Sequence, residues 1–373
     1  MPYKKRKYYI IIGSKAFFDA KLMEFSNNEE FDYFLDLVKI SDDSKSNNYI
    51  DVKRANKLII KNNHYNGIVE NAHDRLGALI EELTYDDSEI YIHNPPRLLK
   101  KYLEDKKERS LIEMISIEEE YIITNDSERF SDKIKTISDS IIGQDNAIKE
   151  ISKSLWYLTT CPRKKPYVIM LYGNSSLGKT ELVREVSKEF FDGKYLEKHL
   201  SMFKNENYSY YFFGDLPNRR SIGFDLLERE SNLVFFDEFD KCPEYFLSAF
   251  YTLFDNNIFK DTTYDVNTSG IVIILTANYN TVEEMKKQLG LPIFYRIDKF
   301  IHFNDFDHNT IYSIVRKEIK SREHEYKDKL DEEEIYSSVS QIILTEGENA
   351  RTIKYKIQKV IEELLFKEIE DNL

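Results

Sequence analysis

Cysteine, glycine and proline are all scarce in this chain of 373 residues, and each scarcity excludes a class of protein. Cys161 and Cys242 are the two cysteines, they lack CxxC spacing, and both read as reduced thiols, so neither a disulfide scaffold nor a sulfur-bound metal is expected. With 12 Gly and 8 Pro, the composition is neither fibrous nor low-complexity. Long apolar runs are missing too. The longest, Tyr8 to Ile12 and Ile271 to Ala277, fall far short of the roughly 20 residues that a membrane span requires. Basic charge is not in excess: 53 Lys and Arg face 66 Asp and Glu, a net charge of -13 that opposes counterion-driven binding to nucleic acid. No membrane and no nucleic-acid partner is expected. The run Lys4 to Lys7 precedes only a short strand-like stretch without a small-residue cleavage site, so it reads as a solvated lead-in rather than a secretory leader. A cytoplasmic location follows as the expectation.

What is present is enough apolar sequence, 41% of residues, to fill two or three cores. Tyr8 to Gly13 reads as a strand, and Phe31, Phe34, Leu35 and Val38 recur at helical spacing after Ser26, Asn27 and Asn28. Val69, Ala72, Leu76, Leu79, Ile80 and Leu83 form a second helical stripe, and Glu89 to His93 a strand stopped by Asn94, Pro95 and Pro96. Thr124 to Ser140, rich in Ser, Asp, Lys and Thr, reads as a linker. No repeat of solenoid or propeller period occurs.

Chemistry concentrates downstream of that segment. An apolar strand, Tyr167 to Tyr172, runs into Gly173, Asn174, Ser175, Ser176, Leu177, Gly178, Lys179 and Thr180, and a helical stripe of Leu182, Val183, Val186 and Phe190 follows. Strand, glycine-bounded loop and helix together make a phosphate cradle. The glycines let backbone N–H groups approach the anion, the helix start adds partial positive charge, Lys179 supplies a full one, and Thr180 offers a hydroxyl to Mg²⁺. Leu233 to Phe236 forms a second buried strand ending in Asp237 and Glu238. Asp237 suits Mg²⁺, and Glu238 suits orienting or deprotonating the attacking water. A third strand, Ile271 to Leu275, leads to Asn278, whose amide at the strand tip can sense the water or the γ-phosphate. His64, His73, His93, His199, His302, His308 and His324 have no metal-ligand spacing and read as structural, leaving Mg²⁺ as the metal implied.

From about Ser140 onward this order of motifs resembles the AAA+ ATPase module of the Clp family of protein unfoldases. Ile141, Ile142, Gly143, Gln144, Asp145 and Ala147 resemble the family's segment ahead of the P-loop, which implies that Ile141 and Ile142 contact adenine. Gly290, Leu291, Pro292, Phe294, Arg296, Ile297 and Asp298 resemble the arginine-finger segment, which implies that Arg296 reaches the γ-phosphate in a neighbouring subunit. Asn349, Ala350 and Arg351, followed by Ile353, Ile357, Val360 and Ile361, resemble the lid helix that carries a second sensor, which implies a phosphate contact from Arg351. Tyr211, Phe212, Phe213 and Gly214 match the family's pore loop without its first glycine; Phe212 falls at the gripping aromatic, and a packed aromatic cluster is the competing reading. Ile222, Gly223 and Phe224 match a peptidase-docking tripeptide in the wrong place, ahead of the Asp-Glu strand, and read as the start of a helix from Phe224 to Glu230. No peptidase partner is expected.

The fold expected is therefore α/β: a P-loop three-layer sandwich over residues 136–303, a small helical lid over 304–373, and a small α+β domain over 1–135 for a client or partner. The resemblance implies an ATP- and Mg²⁺-dependent homo-oligomer, a hexameric ring, that remodels or threads a protein client. The alternative is a nucleotide-dependent switch or assembly scaffold that signals through its N-terminal domain.

Overall fold

The computed structural model describes residues 5–26, 30–46, 53–121, 126–327, 329–343 and 347–370. Met1 to Lys4, Asn27, Asn28 and Thr124, all part of the readings above, lie outside the described residues.

The N-terminal unit alternates strand and helix: β1 (Lys7–Ile12), α1 (Lys15–Ser26), β2 (Asp32–Tyr33), α2 (Phe34–Ser46), β3 (Ala55–Ile60), α3 (Leu76–Glu82), β4 (Thr84–His93), α4 (Arg97–Glu108) and β5 (Glu113–Glu118). Strand order is β2-β3-β4-β1-β5, and every pairing is parallel. Helices and strands are both there as expected, in the finer form of a doubly covered parallel sheet. Two-sided burial explains the near-continuous apolar strands. Tyr9, Ile11, Ile59 and Tyr91 face α1 through Phe18, whereas Tyr8, Ile10, Leu58, Ile60, Ile90 and Ile92 face Phe34, Leu37, Ile80, Leu99 and Leu103 of α2 to α4. The stripe from Val69 to Leu83 is not one helix. Two 3-10 turns, Asn62–Gly67 and Glu70–Arg75, precede α3; His73 Nε2 lies 3.0 Å from the Tyr65 carbonyl and Val69 is exposed.

The reading of Thr124 to Ser140 as a linker is corrected. α5 (Ser127–Ser140) is a helix, started by Asp126, whose carboxylate accepts from the amides of Glu128 and Arg129, a cap worth about 1 kcal/mol. Phe130 and Ile137 bury its apolar side, with Phe130 against Trp156 and Phe190. Two buried residues spaced two turns apart among many polar ones hid it. α5 therefore runs across the expected 135/136 boundary and packs on the unit that follows.

That unit contains α6 (Asp145–Thr160), β6 (Tyr167–Tyr172), α7 (Lys179–Phe190), β7 (Leu196–His199), α8 (Ser209–Phe213), α9 (Ile222–Leu227), β8 (Leu233–Asp237), α10 (Leu247–Asp255), the hairpin β9 (Ile258–Lys260) and β10 (Asp265–Asn267), β11 (Val272–Ala277), α11 (Val282–Phe294) and β12 (Lys299–His302). Its main sheet is parallel, in the order β12-β6-β11-β8-β7. Val168, Met170, Val234, Phe236, Ile273 and Leu275 point into one core; their strand neighbours Ile169, Leu171, Leu233, Phe235, Val272 and Ile274 point into the other. Helices cover both faces, giving three layers. α12 (His308–Ser321), α13 (Glu323–Tyr326), α14 (Glu332–Ile342) and α15 (Ala350–Glu370) then close a separate helical core around Ile311, Val315, Val339, Ile353 and Ile357. No helix among the described residues is long and apolar enough to cross a membrane.

Candidate functional site

The order of the main sheet places the C-terminal ends of β6, β11 and β8 side by side, so loops far apart in sequence meet at one edge. A cleft of about 510 Å³ opens there, walled on its far side by the start of α15. It is lined by Ser175, Ser176, Gly178, Lys179 and Thr180 from the first loop, by Asp237, Glu238, Thr276 and Asn278 from the neighbouring strand ends, and by Arg351 and Lys354 from the lid. The Ala350 amide donates to the Ser176 carbonyl at 3.1 Å, tying lid to loop.

The loop's conformation requires its glycines. Gly173 has φ 138°, and a Cβ there would lie 2.5 Å from the Phe303 carbonyl oxygen; Gly178 has φ 97° and faces open space. Lys179 is 7% exposed, and its Nζ donates to the carbonyls of Gly173 at 2.8 Å and Asn174 at 2.6 Å and to Asn278 Oδ1 at 3.1 Å. Burial lowers its pKa to about 8, against the opposing pull of Asp240 and Asp237. The ammonium thus occupies its own loop, on acceptors that a phosphate would replace.

Asp237 is held from three sides. Thr180 Oγ1 donates to its Oδ1 at 3.4 Å, the Glu238 amide donates to the same oxygen at 3.1 Å, and the Thr276 hydroxyl also bonds it. Glu238 follows with φ 56°, left-handed for a non-glycine residue, and its amide lies 3.0 Å from Thr276 Oγ1. Such a backbone costs on the order of 1–3 kcal/mol, offset here by those hydrogen bonds, and it turns the carboxylate into the cleft. Oxygen donors from Thr180 and Asp237 suit Mg²⁺, and the anion-ready loop beside them suits a nucleoside triphosphate.

Sequence reasoning missed three contributors. Thr276 aligns Asp237. Asp240 adds negative charge near Lys179. His199 was read as structural, yet its Nδ1 lies 3.3 Å from Asp237 Oδ2, and donor atoms of Glu197, His199 and Asp237 all lie within 4.8 Å of one another. Alternation puts Glu197 and His199 on one side of β7, but only the β7–β8 pairing reveals their neighbour.

Other expected residues fall elsewhere. Ile141 is buried in the core beneath α6, and neither it nor Ile142 lines this cleft; Gln144 ties their segment to the loop by donating to the Leu177 carbonyl at 3.4 Å. Arg296 also lies outside the cleft, with Nε 2.6 Å from Asp255 Oδ2 and its guanidinium over Tyr251. Phe212 does not project as a pore aromatic. It is 1% exposed, stacks on Phe246 at 4.3 Å and meets Phe203 and Phe250. Burial worth about 1.5–3 kcal/mol holds it inside, so the packed-cluster reading is the correct one. Ile222, Gly223 and Phe224 are buried at the start of α9, which is capped by Ser221, begins two residues earlier than the helix expected and ends at Leu227 rather than Glu230.

Residues 169–305 match the family described as ATPase family associated with various cellular activities (AAA). The chaperone protein ClpB of Prochlorococcus marinus is 24% identical over 82% of this chain and 40% of its own length, and ClpB of Mycoplasmoides gallisepticum is 22% identical over 67% and 39%. The chloroplastic chaperone protein ClpC1 of Arabidopsis thaliana is 25% identical over 67% of this chain and 27% of its own. The chain spans about 40% or less of the length of these relatives. The S. cerevisiae Hsp104-ADP complex aligns with a TM-score of 0.49 and 20% identity, over 66% of this chain and 49% of that one. Phosphate loop, Asp-Glu strand end and Asn strand end converge on one cleft whose residues fall largely within the stretch that matches the AAA ATPase family, and the chain as a whole is similar to Clp chaperones.

Proposed function

We propose that the protein is a Mg²⁺-dependent ATPase that assembles as a homo-oligomer, a hexameric ring, and uses hydrolysis to remodel a protein client. The observation that supports it best is the convergence of Lys179, Thr180, Asp237, Glu238, Asn278 and Arg351 on the one cleft. In this reading Lys179 leaves the carbonyls of Gly173 and Asn174 to hold the β- and γ-phosphates, and the backbone from Ser175 to Gly178 lines their path. Thr180 and Asp237 hold Mg²⁺, which neutralises phosphate charge when bound. Glu238 takes the proton of the attacking water, Asn278 orients that water, and Arg351 reports the phosphate to the lid through α15. Ile141 and Ile142 bound the adenine side, and Arg296 acts across a subunit boundary, which its place outside its own cleft favours.

Steady-state hydrolysis by the full chain, compared with Lys179→Ala and Glu238→Gln, tests this reading. Turnover that both variants retain contradicts it.

A second reading, a nucleotide-dependent switch, is favoured by a specific observation. The N-terminal unit is joined to the ATPase module by part-buried polar contacts: Asn62 Nδ2 donates to Glu228 Oε1 at 2.8 Å, and the Arg97 amide donates to the Thr263 carbonyl at 2.8 Å. With Phe212 in the core, threading has no gripping aromatic at that position. Binding without sustained turnover distinguishes the switch.

A further inference from the structure

The N-terminal sheet has its own switch point. β1 and β4 are neighbours, yet the chain leaves β1 through α1 on one face and leaves β4 through α4 on the other, so the covering helices diverge at the C-terminal ends of these two strands. In open parallel sheets that crevice is where small ligands bind. Here it is roofed by the ATPase module rather than by solvent. A cleft of about 290 Å³ lies between Lys15, Lys61, Asn62 and His93 of the N-terminal unit and Arg220, Phe224 and Glu228 around α9.

Its two ends differ in chemistry. At the rim, Lys15 opens α1 and makes no ion pair among the described residues, and Lys61 lies 3.9 Å from Asp19 and 5.7 Å over the Tyr33 ring. The amides of Gly13 and Ser14 are already taken by Asn94 Oδ1 and Glu119 Oε2, so the lysines, not the helix start, hold the positive charge on offer. At the floor, Asn62 is 1% exposed and His93 2%, and both approach Glu228: Asn62 through its 2.8 Å hydrogen bond, His93 with Nδ1 at 3.7 Å, beyond hydrogen-bond range. Arg220, bonded to Asp225, lays its guanidinium 5.0 Å over the Phe224 ring and forms a flat side wall. A cationic rim admits a phosphate. The half-buried Glu228 carboxylate accepts from hydroxyls, while Asn62 and His93, already bonded by Tyr264 OH and at the Gly13 carbonyl, hold the floor in place.

We propose that this cleft binds a compact phosphorylated ligand bearing ribose-like hydroxyls, a sugar phosphate or a mononucleotide, with phosphate on Lys15 and Lys61 and hydroxyls on Glu228. The ligand touches both units at once. It therefore stiffens the junction through α9, whose chain continues into β8 and the Asp237–Glu238 end of the nucleotide cleft.

Calorimetric titration of the full chain with ribose 5-phosphate and with AMP tests the proposal, using three forms: parent, Lys15→Ala/Lys61→Ala, and Lys179→Ala. Ribose 5-phosphate is expected to bind saturably at one site per chain, about tenfold or more weaker in the double variant and unchanged in Lys179→Ala. In Lys179→Ala, tighter binding of AMP than of ribose 5-phosphate assigns the ligand as a mononucleotide, and equal binding as a sugar phosphate. Lys15→Glu, a change at an exposed position, should weaken binding as well and guards against misfolding of the double variant. The proposal is overturned if neither probe binds up to about 10 mM, or if binding disappears in Lys179→Ala and persists in the double variant.

Discussion

Lys179 Nζ donates to Asn278 Oδ1 across 3.1 Å, joining the loop after β6 to the end of β11. The same ammonium sits on two carbonyls of its own loop, so the cation that would meet phosphate is held in place by neutral acceptors. Replacing Lys179 with Ala removes a point charge and three hydrogen bonds together. Nucleotide binding, followed by calorimetry, is expected to fall below detection; unchanged affinity would show that phosphate binds elsewhere.

Thr276 is the residue that aligns the metal-side carboxylate. It is 2% exposed and bonds both Asp237 and the Glu238 amide. Thr276→Val keeps the shape and removes one hydrogen bond from each of two groups that keep another, at a cost of about 1 kcal/mol. Thermal unfolding should shift down accordingly, and kcat should fall about tenfold because Glu238 loses its anchor. A variant with parental kcat and melting temperature would make the hydroxyl dispensable.

Arg296 is paired with Asp255 within its own chain, yet it stands apart from its own cleft. Arg296→Ala should bind ATP nearly as well as the parent and hydrolyse it about a thousandfold more slowly if it acts on a neighbour. Mixing it with Lys179→Ala should restore some turnover, since a junction with one intact site and one intact finger can form. Co-assembly without recovery would leave Arg296 a partner of Asp255 alone.

Asn62 supports the junction between the two units. Asn62→Ala leaves Glu228 without that donor and Tyr264 OH, 3.4 Å from Asn62 Oδ1, without that acceptor, a loss of about 1–3 kcal/mol. Chemical unfolding should show a lower midpoint. An unaltered midpoint would mean that the junction adds nothing to stability.

The phosphate loop was legible because all its parts are contiguous: Gly173, Gly178, Lys179 and Thr180 act through spacing that sequence displays directly. Asp237 and Glu238 were legible as the polar end of an apolar strand. Thr276, His199 and Asp240 were not, because their relevance depends on which strands lie next to each other. Phe212 shows the same limit for side-chain direction. A run of aromatics allows both a gripping loop and a core, and contacts with Phe246 and Phe250 on a later segment settle it. α5 was hidden by composition, since a helix whose buried side rests on Phe130 and Ile137 needs few apolar residues. The parallel N-terminal sheet was hidden in turn by crossovers that sequence spacing does not orient.

Glu238→Gln tests the central claim most directly. Its left-handed backbone and the bonds of its amide to Asp237 and Thr276 do not involve the carboxylate, so the substitution leaves the architecture intact and removes the base. Parallel measurement of ATP binding and steady-state hydrolysis should find affinity close to that of the parent and turnover reduced to background. Hydrolysis at the parental rate, with affinity retained, would contradict the assignment of this cleft as the site of ATP hydrolysis.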